Sequence, residues 1–318
     1  MPPLVSVIIP TFNQAAFLRQ AVESVRAQTY PHYEIIVVND ASTDSTQTYL
    51  QSQTDLHVMC NTTNSGPSFS RNQGLRVTRG EYVAFLDGDD LFLPEKLQTQ
   101  VKALEADSSL GVVYGDIRFC DTEGRDLPWR ASGLASPHPG PDIFEALAHG
   151  NFIPIHAPLV RRACLEAMGD FDETMRAGAE DWQLWLRLAA AYPVRFQPVV
   201  VGKYRVHSSN SSQRRRNLTH SNAVVRRWLI ASPLFARLSP TSQHACYLSA
   251  GISLAKLGEV AEARQIFAQA RRLRPQHPAA YGLAILTWLG GENFRKLADQ
   301  FRAWSDRLRR KPRLFGGT

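Results

Sequence analysis

The sequence predicts an α/β fold: a doubly wound, mostly parallel, Rossmann-like sheet followed by a C-terminal α-helical extension. Short apolar runs alternate with helical patterns as far as about residue 210. Several runs are continuously apolar, as expected for parallel strands covered on both faces. From about residue 221 the strand patterns disappear, and the chain becomes helical and rich in arginine. We therefore expect an α/β domain over 1–215 and a helical extension over 216–318.

The predicted elements alternate between strand and helix. A β-branched run begins at Val5 and ends at Pro10, and a helical pattern follows through about Gln28. The remaining expected elements are strands over 34–38, 56–60, 82–86, 110–120 and 194–204, and helices over 42–53, 68–78 and 180–191. Ligands of such sheets bind beyond the carboxyl ends of the strands, so polar residues at those ends are the first candidates for a site.

Composition argues against several classes of protein. The hydrophobic fraction is 44% and the charged fraction 20%, ordinary values for a globular chain. No stretch approaches the roughly 20 apolar residues that a membrane span needs. The four cysteines are scattered without a Cys-x-x-Cys pair, which favours reduced thiols over a zinc site. The first residues lack the pattern of a secretory signal, and we expect a cytoplasmic protein.

The net charge of +7 is unevenly distributed. Residues 1–200 carry 15 Lys/Arg against 24 Asp/Glu, whereas residues 201–318 carry 21 against 5. Such a basic tail suggests an anionic partner: a membrane surface, a lipid-phosphate acceptor or, least favoured, nucleic acid. The alternative is an arginine-rich helical surface that only faces solvent.

Three carboxylates follow the apolar strand over 82–86. They belong to the turn Asp87-Gly88-Asp89-Asp90. Such a cluster suits a hard divalent cation, Mg(II) or Mn(II), which takes oxygen ligands and bridges to substrate phosphates. The alternative is an acidic surface turn, but carboxylates gathered at the exit of a buried strand repel one another unless a cation compensates them.

Three other polar positions are weaker candidates when each is taken alone. Asp40 ends the second strand, where a carboxylate accepts a hydrogen bond from a base or ribose, although it equally suits a helix cap. Glu180-Asp181 opens the tryptophan-rich helix and offers a candidate general base, or simply acidic residues at a helix N-terminus. His207 is either a further metal ligand or a loop histidine.

Six segments, in order, resemble glycosyltransferase family 2, the inverting enzymes with a GT-A type fold. They cover about two thirds of the chain. The segments are VSVIIPTFNQAAFLRQAVESVRAQTY, YEIIVVNDASTDST, NSGPSFSRNQGL, GEYVAFLDGDDLFLPEKL, GDFDETMRAGAEDWQLWLRLA and YRVHSSNSS.

The resemblance implies a nucleotide site. Thr11 and Asn13 would line the pocket, while Asp40 would read the base, commonly uracil, with help from Arg71. Asp87 and Asp89 would form the Asp-x-Asp motif that contacts ribose and metal. The predicted nucleotide-binding set is Pro10, Thr11, Asn13, Asp40, Arg71, Asp87 and Gly88, and the predicted metal ligands are Asp89 and His207, with Asp90 as a further candidate.

The same resemblance implies metal-dependent transfer of a sugar from a nucleotide donor, expected to be UDP-linked. Asp181 would deprotonate the acceptor hydroxyl, which belongs to a glycan, a lipid-linked molecule or a protein. The Pro-, Gly- and Ser-rich segment 121–142 is expected to be a mobile loop on the acceptor side. One departure is Asn39-Asp40-Ala41-Ser42, where many members have Asp-Asp-Gly-Ser; it weakens any role that needs a carboxylate at position 39.

The extension resembles a tetratricopeptide repeat over about 244–290. The matching residues are Gly251, Gly258, Ala263, Phe267, Ala270 and Pro275. Because such repeats normally need about three copies for independent stability, we expect this one to pack on the α/β domain or on a partner. The alternative is an ordinary pair of amphipathic helices.

Two other functions remain as alternatives to sugar transfer. A nucleotidyltransferase also uses an α/β sheet and an acidic metal site, but the sequence lacks the Gly-rich basic phosphate loop expected for that chemistry. A catalytically inactive sugar-nucleotide-binding scaffold would not need its carboxylates, and the retention of Asp40, Asp89 and Asp181 argues against it.

Overall fold

The computed structural model describes residues 2–127, 143–175, 179–208, 215–290, 292–294 and 296–297. Its contacts divide the chain into two compact units, Met1–Arg214 and Arg215–Thr318. Most of the loop predicted over 121–142 lies outside the described residues. Within the described parts of the chain, no helix has the length and apolar character that crossing a bilayer requires.

The first unit is built on a mixed sheet with eight described strands. They are β1 (Val5–Thr11), β2 (Tyr33–Asn39), β3 (Leu56–Cys60), β4 (Tyr82–Phe85), β5 (Leu91–Phe92), β6 (Val112–Cys120), β7 (Pro158–Arg161) and β8 (Val194–Arg205). The accompanying helices are α1 (Ala15–Arg26), α2 (Thr46–Gln51), α3 (Pro67–Leu75), α4 (Lys96–Ala106), α5 (Phe144–His149), α6 (Arg162–Met168) and α7 (Glu180–Ala191).

The strand order is β3-β2-β1-β4-β7-β6-β8-β5. The first four strands are mutually parallel, β7 runs antiparallel to β4 and β6, and β6 pairs with β8 in parallel. The predicted fold class, a doubly wound and mostly parallel sheet with a helical extension, is confirmed. The sequence did not predict β5 and β7, which are only two and four residues long.

The parallel strands position the candidate site. Since β2 pairs on one side of β1 and β4 on the other, the carboxyl ends of all three strands meet at one edge. A crevice at such a reversal of strand order is where α/β folds bind ligands.

Helix α3 lies unusually close to this sheet. A Cβ at Gly74 would come within 2.6 Å of Ile8 Cγ2 on β1, so glycine at this position permits the close approach. Arg71 lies one turn earlier on the same helix, and its position therefore depends on the contact between α3 and β1.

In the described part of the second unit, the regular elements are helices. These are α8 (Arg215–Ala231), α9 (Pro240–Leu257), α10 (Val260–Leu273), α11 (Pro278–Leu286) and short 3-10 helices at Pro233–Arg237 and Thr287–Leu289. Helix α9 is capped by Ser239, whose Oγ accepts a hydrogen bond from Ser242 N at 3.2 Å. It ends at Gly258 in the left-handed conformation, φ 90°.

Phe267 is the centre of the contact between α9 and α10. It is fully buried, and a Cβ at Gly251 would come within 2.5 Å of its Cε1 atom. Ala263 and Ala270 on the same face of α10 are also fully buried. A hairpin of this kind agrees with the predicted repeat pattern, and the tetratricopeptide assignment itself stays a prediction.

We expect Gly251→Ala to lower the free energy of unfolding of the second unit by about 1–3 kcal/mol, because the added methyl group overpacks the contact with Phe267. Gly282→Ala is the matched control: a Cβ at Gly282 on α11 meets nothing within 4 Å. It should stabilise the helix by about 0.5–1 kcal/mol. Urea denaturation followed by circular dichroism measures both changes, and equal effects of the two substitutions would contradict the packing described.

Candidate active site

The loops that follow β1 and β2 are tied together by two side chains. Asn13, in the left-handed region at φ 53°, accepts at Oδ1 a hydrogen bond from Thr43 N at 2.7 Å. Asp44 accepts from Ala15 N at 3.0 Å and from Thr46 N at 2.9 Å. These bonds explain why α2 starts only at Thr46: the residues predicted to begin the helix at 42 form the brace between the loops instead.

The departure at position 39 has a local cause in this chain. Asn39 accepts from Ser42 N at 3.0 Å through Oδ1 and donates from Nδ2 to Gln47 Oε1 at 2.9 Å. The donated bond uses the amide of Asn39, and a carboxylate at position 39 could keep a bond to Gln47 only if the Gln47 amide turned over to donate. Ala41 has φ 59°, a left-handed conformation that glycine adopts more readily than alanine.

Asp40 is buried at the end of β2, and its carboxylate orders the loop that leads into α3. Oδ1 accepts from Asn61 Nδ2 at 2.7 Å and from Ser65 N at 2.9 Å, and Oδ2 accepts from Gly66 N at 2.8 Å. A carboxylate has about four acceptor sites, so the three bonds leave capacity for one further donor. Asp40 thus has a structural role in ordering this loop.

Gly88 brings the acidic turn against the end of β1. A Cβ there would lie 3.1 Å from Thr11 Oγ1 and 3.2 Å from Pro10 O. The Thr11 hydroxyl is buried and has no hydrogen-bond partner in the described structure. Pro10, Thr11 and Gly88, predicted from separate segments, therefore lie together, and an orphaned hydroxyl among them fits a site that a ligand completes.

The carboxylates of Asp87, Asp89 and Asp90 each place one oxygen within 4.8 Å of the others. Asp89 Oδ2 lies 2.9 Å from His207 Nε2 and accepts from Gln14 Nε2 at 3.2 Å. The structure thus brings His207 to the predicted ligand Asp89. Oxygen donors of this kind, with one imidazole beside them, fit Mg(II) or Mn(II).

Asp90 differs from its two neighbours because it is turned into the protein. Oδ1 accepts from Arg205 N at 2.8 Å, and Oδ2 lies 2.9 Å from His156 Nδ1, although the orientation of that ring does not meet hydrogen-bond geometry. Burial raises the pKa of Asp90 to about 6, while His156 opposes the rise. Oδ1 of Asp90 therefore supports the turn, and Asp90 stays a candidate metal ligand because it offers an oxygen to the same cluster as Asp87 and Asp89.

Arg205 is fully buried, and no role was predicted for it from the sequence. Its guanidinium donates to the carbonyl oxygens of Asp89 at 2.7 Å and Thr122 at 2.5 Å, and to Gln20 Oε1 at 2.9 Å. These carbonyl and amide oxygens satisfy much of its hydrogen-bonding capacity. Arg205, which lies two residues before His207 in sequence, therefore fixes the backbone of the acidic turn.

Arg71 connects the acidic turn to the start of α7. Its Nη2 donates to Asp87 Oδ1 at 2.6 Å and its Nη1 to Glu180 Oε1 at 2.8 Å. Burial lowers the pKa of the Arg71 guanidinium, but the charges of Asp87 and Glu180 outweigh it and raise the pKa. The family resemblance implied that Arg71 assists Asp40 in reading the base, and that role stays a prediction; the described partners of Arg71 are these two carboxylates.

Asp181 is half-buried at the first turn of α7. Oδ2 accepts from Asn151 Nδ2 at 3.1 Å, and Oδ1 accepts from Trp182 N at 2.6 Å. Burial, followed by the negative charge of Glu180, raises the pKa of Asp181 to about 7, against the opposing effect of Arg71. A carboxylate whose pKa lies near neutrality is suited to act as a general base. Asn151 was not predicted, because a single asparagine in a loop carries no sequence signal.

Comparison with known proteins identifies the family. The model for Glycosyl transferase family 2 matches residues 6–165, half of the chain. The chain belongs to this family. The matched region contains β1 to β4 and the acidic turn, so the family predicted from the ordered segments is confirmed.

Relatives with similar sequences are also named glycosyltransferases. An uncharacterized glycosyltransferase of Rickettsia typhi is 32% identical over 216 residues, which make up 66% of this chain and 66% of that protein. Among the curated Rickettsia relatives, the chain spans 31–66% of the relative's length.

Solved structures share the GT-A type fold. S. aureus TarS 1–349 in complex with UDP-GlcNAc has a TM-score of 0.60 at 18% identity, covering 94% of this chain and 91% of that chain. The Pyrobaculum calidifontis mannosyltransferase PcManGT, in complex with GDP-Man and Mn2+, has a TM-score of 0.61 at 23% identity, covering 96% and 84%. At these identities the likeness establishes the fold.

We expect Arg71→Met to lower the free energy of unfolding by about 3 kcal/mol, because Glu180 then remains buried without its cation. Adding Glu180→Gln to this variant should recover at least about 1 kcal/mol, since the uncompensated charge is removed. Urea denaturation of the single and double variants measures this coupling. A double variant that loses the sum of the two single effects would show that the bridge carries no interaction energy.

Proposed function

We propose that the chain is an inverting, metal-dependent glycosyltransferase that moves a sugar from a nucleotide-sugar, a UDP-sugar in the first instance, to a hydroxyl group. The observation that carries the proposal is the bridge from Asp87 through Arg71 to Glu180. It joins the acidic turn at the end of β4 to the helix that bears Asp181, and so brings a candidate donor site next to a candidate base.

The donor would bind across the carboxyl ends of β1, β2 and β4. Asp40 has acceptor capacity for a base N–H, and the free hydroxyl of Thr11 and the open side of Asp87 offer polar contacts to the ribose. Asn13 would act by holding the pocket wall, because its side chain braces the two loops. TarS binds UDP-GlcNAc and PcManGT binds GDP-Man. Both complexes support a nucleotide-sugar donor, and uracil and guanine are the two bases whose binding to this chain should be compared.

Asp89 and His207 would hold the divalent cation, with Asp87 beside them. When bound, the cation supplies positive charge that offsets the negative charge of the diphosphate leaving group. Gln14 and Arg205 keep this part of the site in place, the first through the Asp89 carboxylate and the second through the Asp89 carbonyl.

Asp181 would take the proton from the acceptor hydroxyl. The acceptor oxygen then forms a bond to the anomeric carbon as the bond from that carbon to the diphosphate oxygen breaks, and attack from the opposite face inverts the centre. The nucleoside diphosphate leaves with the bonding electrons, and the proton remains on Asp181. Asn151 would orient this carboxylate through its bond to Oδ2.

The rest of the chain would bring the site to its acceptor. We assign catalysis to residues 1–215 and docking to the basic extension over 216–318, with its repeat-like part over about 244–290. The acceptor would be a glycan, a lipid-linked molecule or a protein. The basic extension favours a cytoplasmic location with peripheral contact at the inner face of the cell membrane or with a protein partner.

We expect Asp181→Asn to reduce kcat by about 100- to 10,000-fold, the range that a general base contributes, with nucleotide affinity unchanged. The rate of UDP release from a panel of UDP-sugars and the affinity for UDP with Mn(II) provide the two measurements. Asp170→Asn is the matched control, since Asp170 is exposed nearby in the same sequence segment and should have full activity.

The pH profile distinguishes a base from a structural carboxylate. Since Asp181 acts deprotonated and its pKa is raised to about 7, kcat/KM should fall as the pH drops below about 7 and stay level above it. Glu180→Gln removes a charge that raises this pKa, and the acidic limb should move to lower pH. An unmoved limb in Glu180→Gln, or full activity in Asp181→Asn, would refute the assigned role.

A further inference from the structure

Helix α11 is apolar on two adjacent sides, which lie about 100° apart around its axis. Its inward side contributes Ala280 and Ala284 to the buried residues of the second unit. Its outward side carries large apolar residues that are exposed to solvent, Tyr281 at 44% and Ile285 at 67%, and the row continues with Trp288 at 75% in the 3-10 helix that follows. No charged residue occurs between Pro278 and Gly290. A helix with this distribution has one side buried in its own fold and a second side suited to another apolar phase.

Two arginines of α10 flank the exposed row. The Arg264 guanidinium lies 3.9 Å from the ring centroid of Trp288, and that of Arg271 lies 5.4 Å from the ring centroid of Tyr281. Arg264 is held in place because it donates to Thr287 Oγ1 at 3.0 Å and to Thr287 O at 3.2 Å. We call the surface formed by Arg264, Arg271, Tyr281, Ile285 and Trp288 the α11 face.

The charge of the surrounding chain limits what can cover the α11 face. Residues 201–318 carry 21 Lys/Arg against 5 Asp/Glu, and the part beyond the described residues, 298–318, carries six against two. Covering the face with the chain's own C-terminal segment, or with a second copy of the basic unit, would place like charges beside Arg264 and Arg271. Charge complementarity therefore favours an anionic occupant.

We propose that the α11 face binds the surface of an anionic phospholipid membrane. Tryptophan and tyrosine have apolar rings with a polar atom and are suited to the boundary between headgroups and acyl chains, where Ile285 would add aliphatic area. Arg264 and Arg271 would meet the lipid phosphates from the rim, with their stems along the rings. Because the apolar row is short, the contact is reversible and depends on the negative charge of the lipid.

The proposal rests on the peripheral membrane contact proposed above and assigns it to named residues. It does not depend on the transfer reaction. The α11 face belongs to the second unit, and the donor site belongs to the first. Substitutions on this face are therefore expected to leave nucleotide binding unchanged.

The test uses the full chain and phosphatidylcholine vesicles with or without phosphatidylglycerol, and co-sedimentation measures the partition coefficient. We expect binding to the anionic vesicles only, with a decrease as salt is added. Trp288→Ala combined with Ile285→Ser should lower the partition coefficient at least about tenfold, because both apolar contacts are lost. Leu218→Ser is the matched control, since Leu218 is an exposed apolar residue on α8, and it should bind like the wild type.

A second variant probes the electrostatic part. Arg271→Gln should weaken binding to anionic vesicles and reduce its salt dependence while leaving the fold unchanged. The circular dichroism melting curves of all variants check that loss of binding is not loss of structure. Stabilisation by UDP with Mn(II), measured on the same samples, separates the two proposals: its absence from every sample, including the wild type, would count against the donor site alone.

Three results would overturn the membrane proposal. The wild type could bind neither kind of vesicle, which would leave an acidic protein surface as the occupant. The variant with Trp288→Ala and Ile285→Ser could bind as well as the wild type, and membrane contact would then lie elsewhere on the chain. Equal binding to vesicles with and without phosphatidylglycerol would refute the requirement for an anionic lipid.

Discussion

The buried guanidinium of Arg71 is the interaction on which the candidate site depends most directly. It holds Asp87, which follows β4, and Glu180, which begins α7, although 109 residues separate Arg71 from Glu180. Carboxylates brought together at the edge of a sheet repel one another, and burying Glu180 alone would cost several kcal/mol. The positive charge of the Arg71 guanidinium makes both the convergence of the carboxylates and the burial of Glu180 possible. Its removal would disturb the helix that carries Asp181 as well as the acidic turn.

The position of Arg71 depends in turn on the packing of α3. Gly74 allows the helix to lie against Ile8 of β1. Asn72, the residue after Arg71, binds the segment that precedes α7. Asn72 donates to Phe171 O at 2.9 Å and accepts from Phe171 N at 2.9 Å. Thus the Asn72 side chain of α3 binds the backbone of the segment before α7, while the Arg71 side chain binds Glu180 on α7 itself.

A second set of buried polar groups, formed by Asp90 and Arg205, fixes the backbone of the acidic turn. Asp90 accepts from the backbone of Arg205, and the Arg205 side chain donates to the backbone of Asp89. These reciprocal bonds leave the side chain of Asp89 facing His207 and Gln14. Satisfied networks of this kind restrict a backbone to one arrangement, because each broken bond would leave a buried polar group without a partner. These bonds thus hold the proposed metal ligand Asp89 in one position.

Sequence reasoning was most successful where local patterns decide the structure. The apolar runs predicted β1 to β4, and the carboxylates after the strand over 82–86 predicted the acidic turn, because a strand end and its following residues are close in sequence. Partners distant in sequence were not predictable: nothing near His156 marks it as a neighbour of Asp90, and Arg71 carries no sign that Glu180 accepts its hydrogen bond. The predicted start of α2 was wrong by four residues, since the bonds that Asp44 accepts from Thr46 N and Asn13 accepts from Thr43 N override the local preference for a helix. The four-residue β7, with its antiparallel pairing, was too short to give a pattern.

The most direct test of the proposed donor site is the thermal stability of the protein with UDP, GDP or CMP, each in the presence of Mn(II) or EDTA. A nucleotide that binds only the native state, present at a concentration about 100 times its Kd, raises the free energy of unfolding by about 2.7 kcal/mol. We expect one nucleotide to stabilise the wild type only with Mn(II), and Asp89→Ala to lose that dependence on metal. No stabilisation by any nucleotide, or a stabilisation that neither EDTA nor Asp89→Ala changes, would contradict a metal-assisted nucleotide-sugar site at this edge of the sheet.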